Sequence, residues 1–369
     1  MKIWIAIVDD WELRGNGLGN VIDLQFKPAI RLMDLYEKLG IKGTFNIEVM
    51  QQLAFEKYAE EYPEIKEQRD YWIKSVTTML ERGFDIQLHT HPQWHNAQYD
   101  GKYWKLDKRW NIVDYNDELI EEFISGSIDY LKTNFKINKI VSFRGGGWGV
   151  CCPSRKLFEM LEKYGIEIDI SLVKGIYFDG ESIKLDYTNL ESPYFPYYPD
   201  YDDVRKISKS KTNIIEIPTQ SVSSGDLSIA ERICLNMLRI KHIKPYLLRG
   251  VRKRIKQELP EFIVRDPFGF GNYRFSCLPL IIDLSSPLTL YAFKIAVNAV
   301  IRRALQRGFP NIPLIFENHT KDLTDEQIKK IEQLIGYIKS KYKDIVKFVT
   351  LKEIVDNIDL FSPLLKVYE

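Results

Sequence analysis

Short apolar runs alternate along the chain with longer stretches in which apolar residues recur every three or four positions. The runs are rich in β-branched residues and predict buried strands, whereas the longer stretches predict amphipathic helices. The predicted strands cover residues 3–8, 43–47, 84–88, 140–143, 166–172, 214–218, 312–317 and 346–350. The predicted helices cover residues 27–39, 68–82, 117–134, 154–164, 290–308 and 324–342.

Repeated strand–helix units favour parallel strands joined by right-handed crossovers, as in an α/β barrel or an open α/β sheet. In a barrel, the carboxyl ends of the strands converge on one face, where catalytic groups collect. We expect the 369 residues to form a single domain, since no segment has the composition of a linker. Three segments resemble loop insertions, at residues 93–115, 187–203 and 225–275.

Composition narrows the class of protein. The chain has 52 basic and 51 acidic residues, a balance that gives no general attraction to nucleic acid. No run approaches the roughly 18–20 apolar residues of a membrane span, and the first residues lack the pattern of a signal peptide. The four cysteines, at 151, 152, 234 and 277, have no CxxC spacing. We therefore expect reduced thiols and a cytoplasmic protein.

Three of the five histidines fall within seven residues, at His89, His91 and His95. On a strand, residues i and i+2 point to the same side, so His89 and His91 can converge on one ion. His91 and His95 have a spacing that would suit a helical turn equally well. Imidazole is a common ligand of zinc and of similar metals. We interpret the cluster as a metal site rather than as a polar loop that happens to contain histidine.

Other polar residues that follow predicted strands have two interpretations each. Asp9 and Asp10 could supply a metal ligand and a base, or they could cap an element, as Asp often does. His319 could donate a proton to a leaving group or could be an ordinary hydrogen-bonded loop residue. Arg144, before three glycines, could orient a carboxylate or form a structural ion pair.

The order of these residues resembles that of a known family. Asp9-Asp10, HTHP at 89–92, FRGGGW at 143–148 and a late histidine are similar to the motifs of the polysaccharide deacetylases (carbohydrate esterase family 4, NodB-homology domain). The similarity extends over most of the chain. It is stronger with a divergent branch associated with lipopolysaccharide and surface-glycan biosynthesis than with secreted chitin deacetylases.

The resemblance implies a distorted (β/α)7 barrel, an α/β fold, that holds a divalent metal, with zinc as the expected ion. The implied metal ligands are Asp10, His89 and His91. Two departures concern the site. Trp11 stands where the family motif has glycine after the two acids, and the three-residue gap between histidines belongs to His91 and His95. His95 is therefore the alternative to His91 as a ligand.

The resemblance also implies catalytic roles for four residues. Asp9 would be the general base and Arg144 would hold it in place. His319 would be the general acid and Asp169 would support it.

Together these observations predict a metal-dependent hydrolase that removes acetyl groups, mainly N-acetyl groups, from a sugar or glycan. The expected partner is an acetylated sugar or glycan, either free or lipid-linked. A catalytically inactive glycan-binding protein of the same fold is the alternative. A metal hydrolase of the amidohydrolase kind is a weaker alternative. Such a site requires further histidine ligands on later strands, and only His242 and His319 remain to supply them. The basic stretch 239–256 is either a solvated helix face or a contact with an anionic membrane surface.

Overall fold

The computed structural model describes residues 1–242, 272–282, 290–321 and 323–365. The strands within these ranges are β1 Lys2–Trp11, β2 Thr44–Glu48, β3 Asp85–Thr90, β4 Gln98–Tyr99, β5 Trp104–Lys105, β6 Ser142–Gly145, β7 Ile168–Asp169, β8 Ile176–Asp179, β9 Lys184–Asp186, β10 Ile215–Glu216, β11 Ser221–Val222, β12 Asn272–Phe275, β13 Leu278–Pro279, β14 Asn311–His319 and β15 Val346–Val349. The α-helices are α1 Lys27–Lys38, α2 Val49–Tyr58, α3 Pro63–Glu81, α4 Asp117–Phe135, α5 Arg155–Lys163, α6 Ile229–His242, α7 Leu290–Arg307, α8 Asp325–Lys341 and α9 Leu351–Asp356.

The main sheet is parallel and curls into an incomplete barrel. Its strand order is β10-β7-β6-β3-β2-β1-β14, and β15 pairs with the first half of β1. In the run β1, β2, β3, β6 and β7, each strand is linked to the next by one or two helices, as the alternating pattern of the sequence predicts. The structure therefore confirms the expected distorted (β/α)7 barrel.

The two faces of β1 are buried in different parts of the core. Trp4, Ala6 and Val8 belong to a cluster inside the barrel that also contains Ile168 and Ile315. Residues 3, 5, 7 and 11 belong to the larger cluster between the sheet and the helices. Because side chains alternate across a strand, Asp10 faces the barrel interior and Asp9 faces the helices. Two adjacent aspartates are thus placed in different environments.

Most predicted elements are present with shifted ends. β1, β3 and β14 extend beyond the predicted strands to Trp11, Thr90 and His319, so the polar residues expected in loops are themselves part of strands. α3 begins at Pro63 rather than at residue 68. The strands predicted at 166–172 and 214–218 are reduced to two residues each, β7 and β10.

The predicted insertions have different contents. Segment 93–115 forms a small aromatic layer against α2, in which Trp104 packs on Phe55 and Tyr58. Most of the basic stretch 239–256 lies outside the described residues, as does the side chain of His242. Among the helices that the structure describes, none is long and apolar enough to cross a membrane.

The cysteine prediction is correct only in part. Cys234 and Cys277 are free thiols. Cys151 and Cys152 are joined in a disulfide between adjacent residues, so the expectation that all four thiols are reduced was wrong for this pair.

Candidate metal centre and its polar surroundings

Strand register places a row of polar residues inside the barrel, near the carboxyl ends of its strands. In β1, Asp10 is level with Asn46 of β2 on one side and with His319 of β14 on the other. His89 of β3 is level with Glu48 and with Arg144. Residues at one level of a parallel sheet point to the same face, so these six side chains share one region of the interior. The sequence prediction that dispersed polar residues meet at one mouth is therefore supported for this set.

His89 and His91 converge on the carboxylate of Glu12. Oε2 of Glu12 contacts Nε2 of His91 and lies 3.5 Å from Nε2 of His89. One oxygen of Glu12 and one nitrogen from each ring all lie within 4.8 Å of one another. The three residues are buried, with at most 5% of each exposed. Two imidazoles and one carboxylate are a common donor set for zinc in catalytic sites, where a further position stays open.

Hydrogen bonds fix the orientation of both rings. Nδ1 of His89 lies 2.9 Å from the carbonyl oxygen of Arg144, so Nδ1 donates a proton to it and Nε2 is the nitrogen that faces Glu12. Nδ1 of His91 lies 2.8 Å from Nε2 of the Gln93 side chain, a contact that also holds the ring in place. Both Nε2 atoms are buried and directed at the same oxygen of Glu12. Two imidazole nitrogens that converge on one carboxylate oxygen fit a metal ion, since ligating histidines are held through their other nitrogen.

Glu48 and Gly146 set the position of His91. One oxygen of Glu48 accepts a hydrogen bond from the backbone N–H of His91, and the other caps α2 at Gln51. Burial raises the pKa of Glu48 to about 8. Gly146 lies against the imidazole of His91, and a Cβ at this glycine would be 2.6 Å from two ring atoms. The second glycine of the FRGGGW motif therefore leaves room for the ring of His91, which any larger residue would displace.

Replacing Gly146 with alanine should displace the ring of His91. We expect the free energy of unfolding to fall by about 1–3 kcal/mol, as overpacking typically costs, and metal affinity to fall by roughly 10-fold or more, as displaced ligands do. Denaturant unfolding and competition with a chelator measure the two effects. Gly126→Ala in α4 is the matched control because nothing lies within 4 Å of its Cβ position. Equal metal affinity in the two variants would contradict the steric argument.

A second group of ionisable residues adjoins the histidines. Nε of Arg144 donates to Oδ2 of Asp10 at 2.7 Å, and its Nη2 lies 2.6 Å from Oε2 of Glu317. Nε2 of His319 lies 3.3 Å from Oε1 of Glu317 and 3.9 Å from Oδ2 of Asp10. The side chain of His319 is 19% exposed, whereas the other three are nearly or fully buried. His319 is thus the member of this group that solvent and substrate can reach.

The guanidinium of Arg144 keeps the Asp10 carboxylate ionised. Burial by itself would raise the pKa of Asp10, but Arg144, His89 and His319 together hold it below its usual value. Nδ2 of Asn46 donates a further hydrogen bond to Oδ1 at 3.0 Å. Arg144 is itself anchored by the carbonyl oxygen of Ile170 at 2.9 Å. An ionised carboxylate in a fixed orientation can accept a proton from a nearby water.

Asp9 and Asp169 do not join this group. Asp9 points toward α1, where it accepts hydrogen bonds from the hydroxyl of Tyr36 at 3.2 Å and from the side-chain amide of Asn318. Burial raises its pKa to about 8. Asp169 accepts a hydrogen bond from Ser171 at 2.6 Å. Arg144 pairs with Asp10 and Glu317 rather than with Asp9. The roles implied for Asp9 and Asp169 stay predictions that the geometry does not favour.

His95 is separate from the cluster as well. Its ring packs on Phe123, with centroids 5.0 Å apart, and lies near Tyr115. The structure therefore brings His91, and not the reserve candidate His95, beside His89.

Sequence reasoning missed Glu12 and Glu317. The signal was present, since Glu12 comes two residues after Asp10 and Glu317 two residues before His319. A period of two places such pairs on the same face of a strand. The adjacent pair Asp9-Asp10 obscures this alternation, because a strand that ends before the acids leaves Glu12 without a predicted face.

No protein-family model matches the chain, and no curated protein sequence matches it. A solved structure from Mycobacterium smegmatis, described as a polysaccharide deacetylase, is similar with a TM-score of 0.52 and 11% identity, over 100% of this chain and 93% of the other. A structure from Parabacteroides distasonis, described as a glycoside hydrolase or deacetylase, gives 0.52 and 14%, over 96% and 70%. The fold is that of the polysaccharide deacetylases.

Within this polysaccharide deacetylase fold, the two groups of residues lie side by side at the carboxyl ends of β1, β3 and β14. One group offers a carboxylate oxygen and two imidazole nitrogens to a cation. The other offers an ionised carboxylate, a histidine and a fixed guanidinium. A cation site next to a base and an acid is the set of groups that metal-assisted hydrolysis requires.

Proposed function

We propose that this protein is a metal-dependent hydrolase that removes N-acetyl groups from a sugar or glycan. The observation that carries the proposal is the buried convergence of Glu12, His89 and His91, with both Nε2 atoms directed at one oxygen of Glu12, beside the group formed by Asp10 and His319. The fold supports a carbohydrate substrate. The ion that we expect is zinc, since the donor set suits it.

In this proposal Glu12, His89 and His91 hold the metal. A bound divalent ion would polarise the acetyl carbonyl and acidify the attacking water. The burial of the three residues excludes bulk water from their side of the site, which strengthens electrostatic interactions there. The family resemblance implied Asp10 as a ligand, and Asp10, Glu317 and His319 form a second group whose candidate ligand atoms lie within 4.8 Å of one another. In this proposal Asp10, which is paired with Arg144, serves as a base rather than as a ligand.

Asp10 would act as the general base. Its carboxylate faces the barrel interior, and its pKa is held below the usual value despite burial. Arg144 fixes Oδ2 and Asn46 fixes Oδ1, so the carboxylate cannot turn away from a water in the interior. Asp9 is a poorer candidate because it faces α1 and its pKa of about 8 keeps it protonated at neutral pH.

His319 would act as the general acid. Its Nε2 lies 3.3 Å from Glu317, a carboxylate that stabilises the protonated imidazole. Its partly exposed position lets it reach the nitrogen of a bound acetamido group. Proton donation from His319 would release the amine of the sugar, while the acetyl group leaves as acetate. The loss of such a proton donor typically reduces the rate by roughly 10²–10⁴-fold.

The decisive experiment combines metal analysis with acetate release from a panel of N-acetylated sugars and glycans. We expect one divalent ion per chain in the wild type and in both Asp9→Asn and Asp10→Asn. Acetate release should fall by roughly 10²–10⁴-fold in Asp10→Asn and stay near the wild-type rate in Asp9→Asn, because only Asp10 faces the site.

The other outcomes are equally informative. Loss of the ion in Asp10→Asn would make Asp10 a ligand. Loss of activity in Asp9→Asn alone would restore Asp9 as the base. Failure of the wild type to bind zinc, cobalt or nickel would overturn the proposal. Bound metal without turnover of any acetylated sugar would favour a glycan-binding protein.

A further inference from the structure

Lys321 brings a positive charge to the candidate metal centre. It lies two residues beyond His319, as Glu12 lies two residues beyond Asp10, and Asp10 and His319 are level with each other in the sheet. The Nζ atom of Lys321 contacts Oε1 of Glu12. The side chain of Lys321 is 24% exposed, whereas that of Glu12 is 7% exposed.

The two oxygens of Glu12 therefore have different partners. Oε1 is taken by the ammonium group of Lys321, and Oε2 is directed at the imidazoles of His89 and His91. A carboxylate whose second oxygen is occupied by a cation can offer an ion only one oxygen. The side chain of Glu12 is buried, and Lys321 reaches it from the more exposed side of the site. Burial shields this ion pair from solvent and so stabilises it.

We propose that Lys321 is a positioning residue that limits Glu12 to one-oxygen binding of the metal ion. This inference rests on the proposed function, since it concerns the same centre. One carboxylate oxygen and two imidazole nitrogens leave coordination positions for water and the acetyl oxygen, which a catalytic zinc site requires. The positive charge near the ion also weakens metal binding. Lys321 thus lowers the affinity of the centre for the metal and leaves coordination positions open for water and substrate.

Removing this lysine should raise metal affinity, whereas a change that damages the site should lower it. In Lys321→Met, Glu12 regains its second oxygen and the ion loses a nearby positive charge. Metal affinity should then rise by roughly tenfold, since ligand charge and number set affinity, while kcat falls. A lysine that merely supported the structure would weaken metal binding when removed.

The test compares the wild type with Lys321→Met, Lys321→Arg and Lys330→Met. Lys330 pairs with Glu326 on the exposed surface of α8, so Lys330→Met loses a charge at a distance from the centre. Zinc affinity is measured by competition with a chelator. The visible absorption of cobalt-loaded protein reports coordination number, because added ligands weaken it. Circular dichroism and denaturant unfolding of the zinc-loaded proteins check the fold.

We expect tighter zinc binding and weaker cobalt absorption in Lys321→Met alone, with both returned toward wild type in Lys321→Arg. Unchanged or weaker zinc binding in a folded Lys321→Met would overturn the inference and leave the proposed function intact. The absence of metal from the wild type would instead overturn the proposed function. If Lys321→Met does not fold, Lys321→Gln is measured in its place and judged by the same outcomes.

Discussion

Replacing Glu12 with glutamine should remove the metal and with it the activity. Glutamine keeps the size of the side chain but loses the charge that balances a divalent ion between two neutral imidazoles. Even residues that only orient ligands are worth 10–100-fold in affinity, so we expect zinc affinity to fall by at least about 100-fold. Acetate release at limiting zinc should fall at least as much. Chelator competition and the acetate assay measure both.

Glu326→Gln is a suitable control for this experiment. Glu326 lies in the exposed first turn of α8, and its replacement removes the same charge at a distance from the site. It should match the wild type in both assays. Undiminished zinc binding in Glu12→Gln would show that another carboxylate completes the centre, and Asp10 would be the next residue to examine.

Replacing Arg144 with methionine should cause the largest loss of stability among single changes at this site. Arg144 is 1% exposed and pairs with Asp10 and with Glu317, which are also buried. Methionine fills much of the same volume but leaves two buried carboxylates without their cation. Breaking a buried pair on one side typically costs about 3–5 kcal/mol. Denaturant unfolding of the metal-free protein measures this loss, and acetate release should be abolished.

The loss of stability should depend on pH. In the wild type, Arg144 helps to hold the pKa of Asp10 below its usual value, so this carboxylate contributes stability that is lost as the pH falls. Without the guanidinium, burial dominates and the pKa of Asp10 rises. Asp10 of the variant is therefore protonated as the pH falls, which removes the free-energy cost of burying an unpaired charge. The difference in the free energy of unfolding should therefore be largest near neutral pH and shrink toward about pH 4.

Arg155→Met provides the matched control. Arg155 forms a two-point pair with Asp202, but both side chains are more than half exposed. Solvent already screens this pair, so its removal should leave the free energy of unfolding almost unchanged at any pH in the series. A pH-independent loss in Arg144→Met would mean that packing, and not the unpaired carboxylates, explains its instability.

The alternation of apolar runs and amphipathic stretches was sufficient to predict the fold class. Strands and helices are local patterns, and a parallel sheet with helical crossovers is the way such a chain buries both. The clustering of His89 and His91 was sufficient to predict that the two rings lie together, because a period of two is a property of any strand. These parts of the result depend on short-range sequence.

The assignment of the carboxylates could not be predicted in the same way. Asp9 and Asp10 are chemically identical neighbours, and only the direction in which β1 faces decides which of them is inside the barrel. That direction is set by the burial of Trp4, Ala6 and Val8 in the interior cluster. Glu12 and Glu317 are drawn into the site by contacts across hundreds of residues, as in the pairing of Arg144 with Glu317 and of Lys321 with Glu12.

The sequence by itself therefore determined most of the strands and helices of the barrel, the parallel sheet, and the histidine pair at the carboxyl end of β3, whereas α2, α9 and the short strands outside the main sheet were not predicted. Tertiary structure decided which carboxylate meets the histidines, which one is ionised beside Arg144, and which aspartate is turned toward α1. The physical reason is that the state of a buried carboxyl group depends on the charges packed around it, and these come from strands distant in sequence.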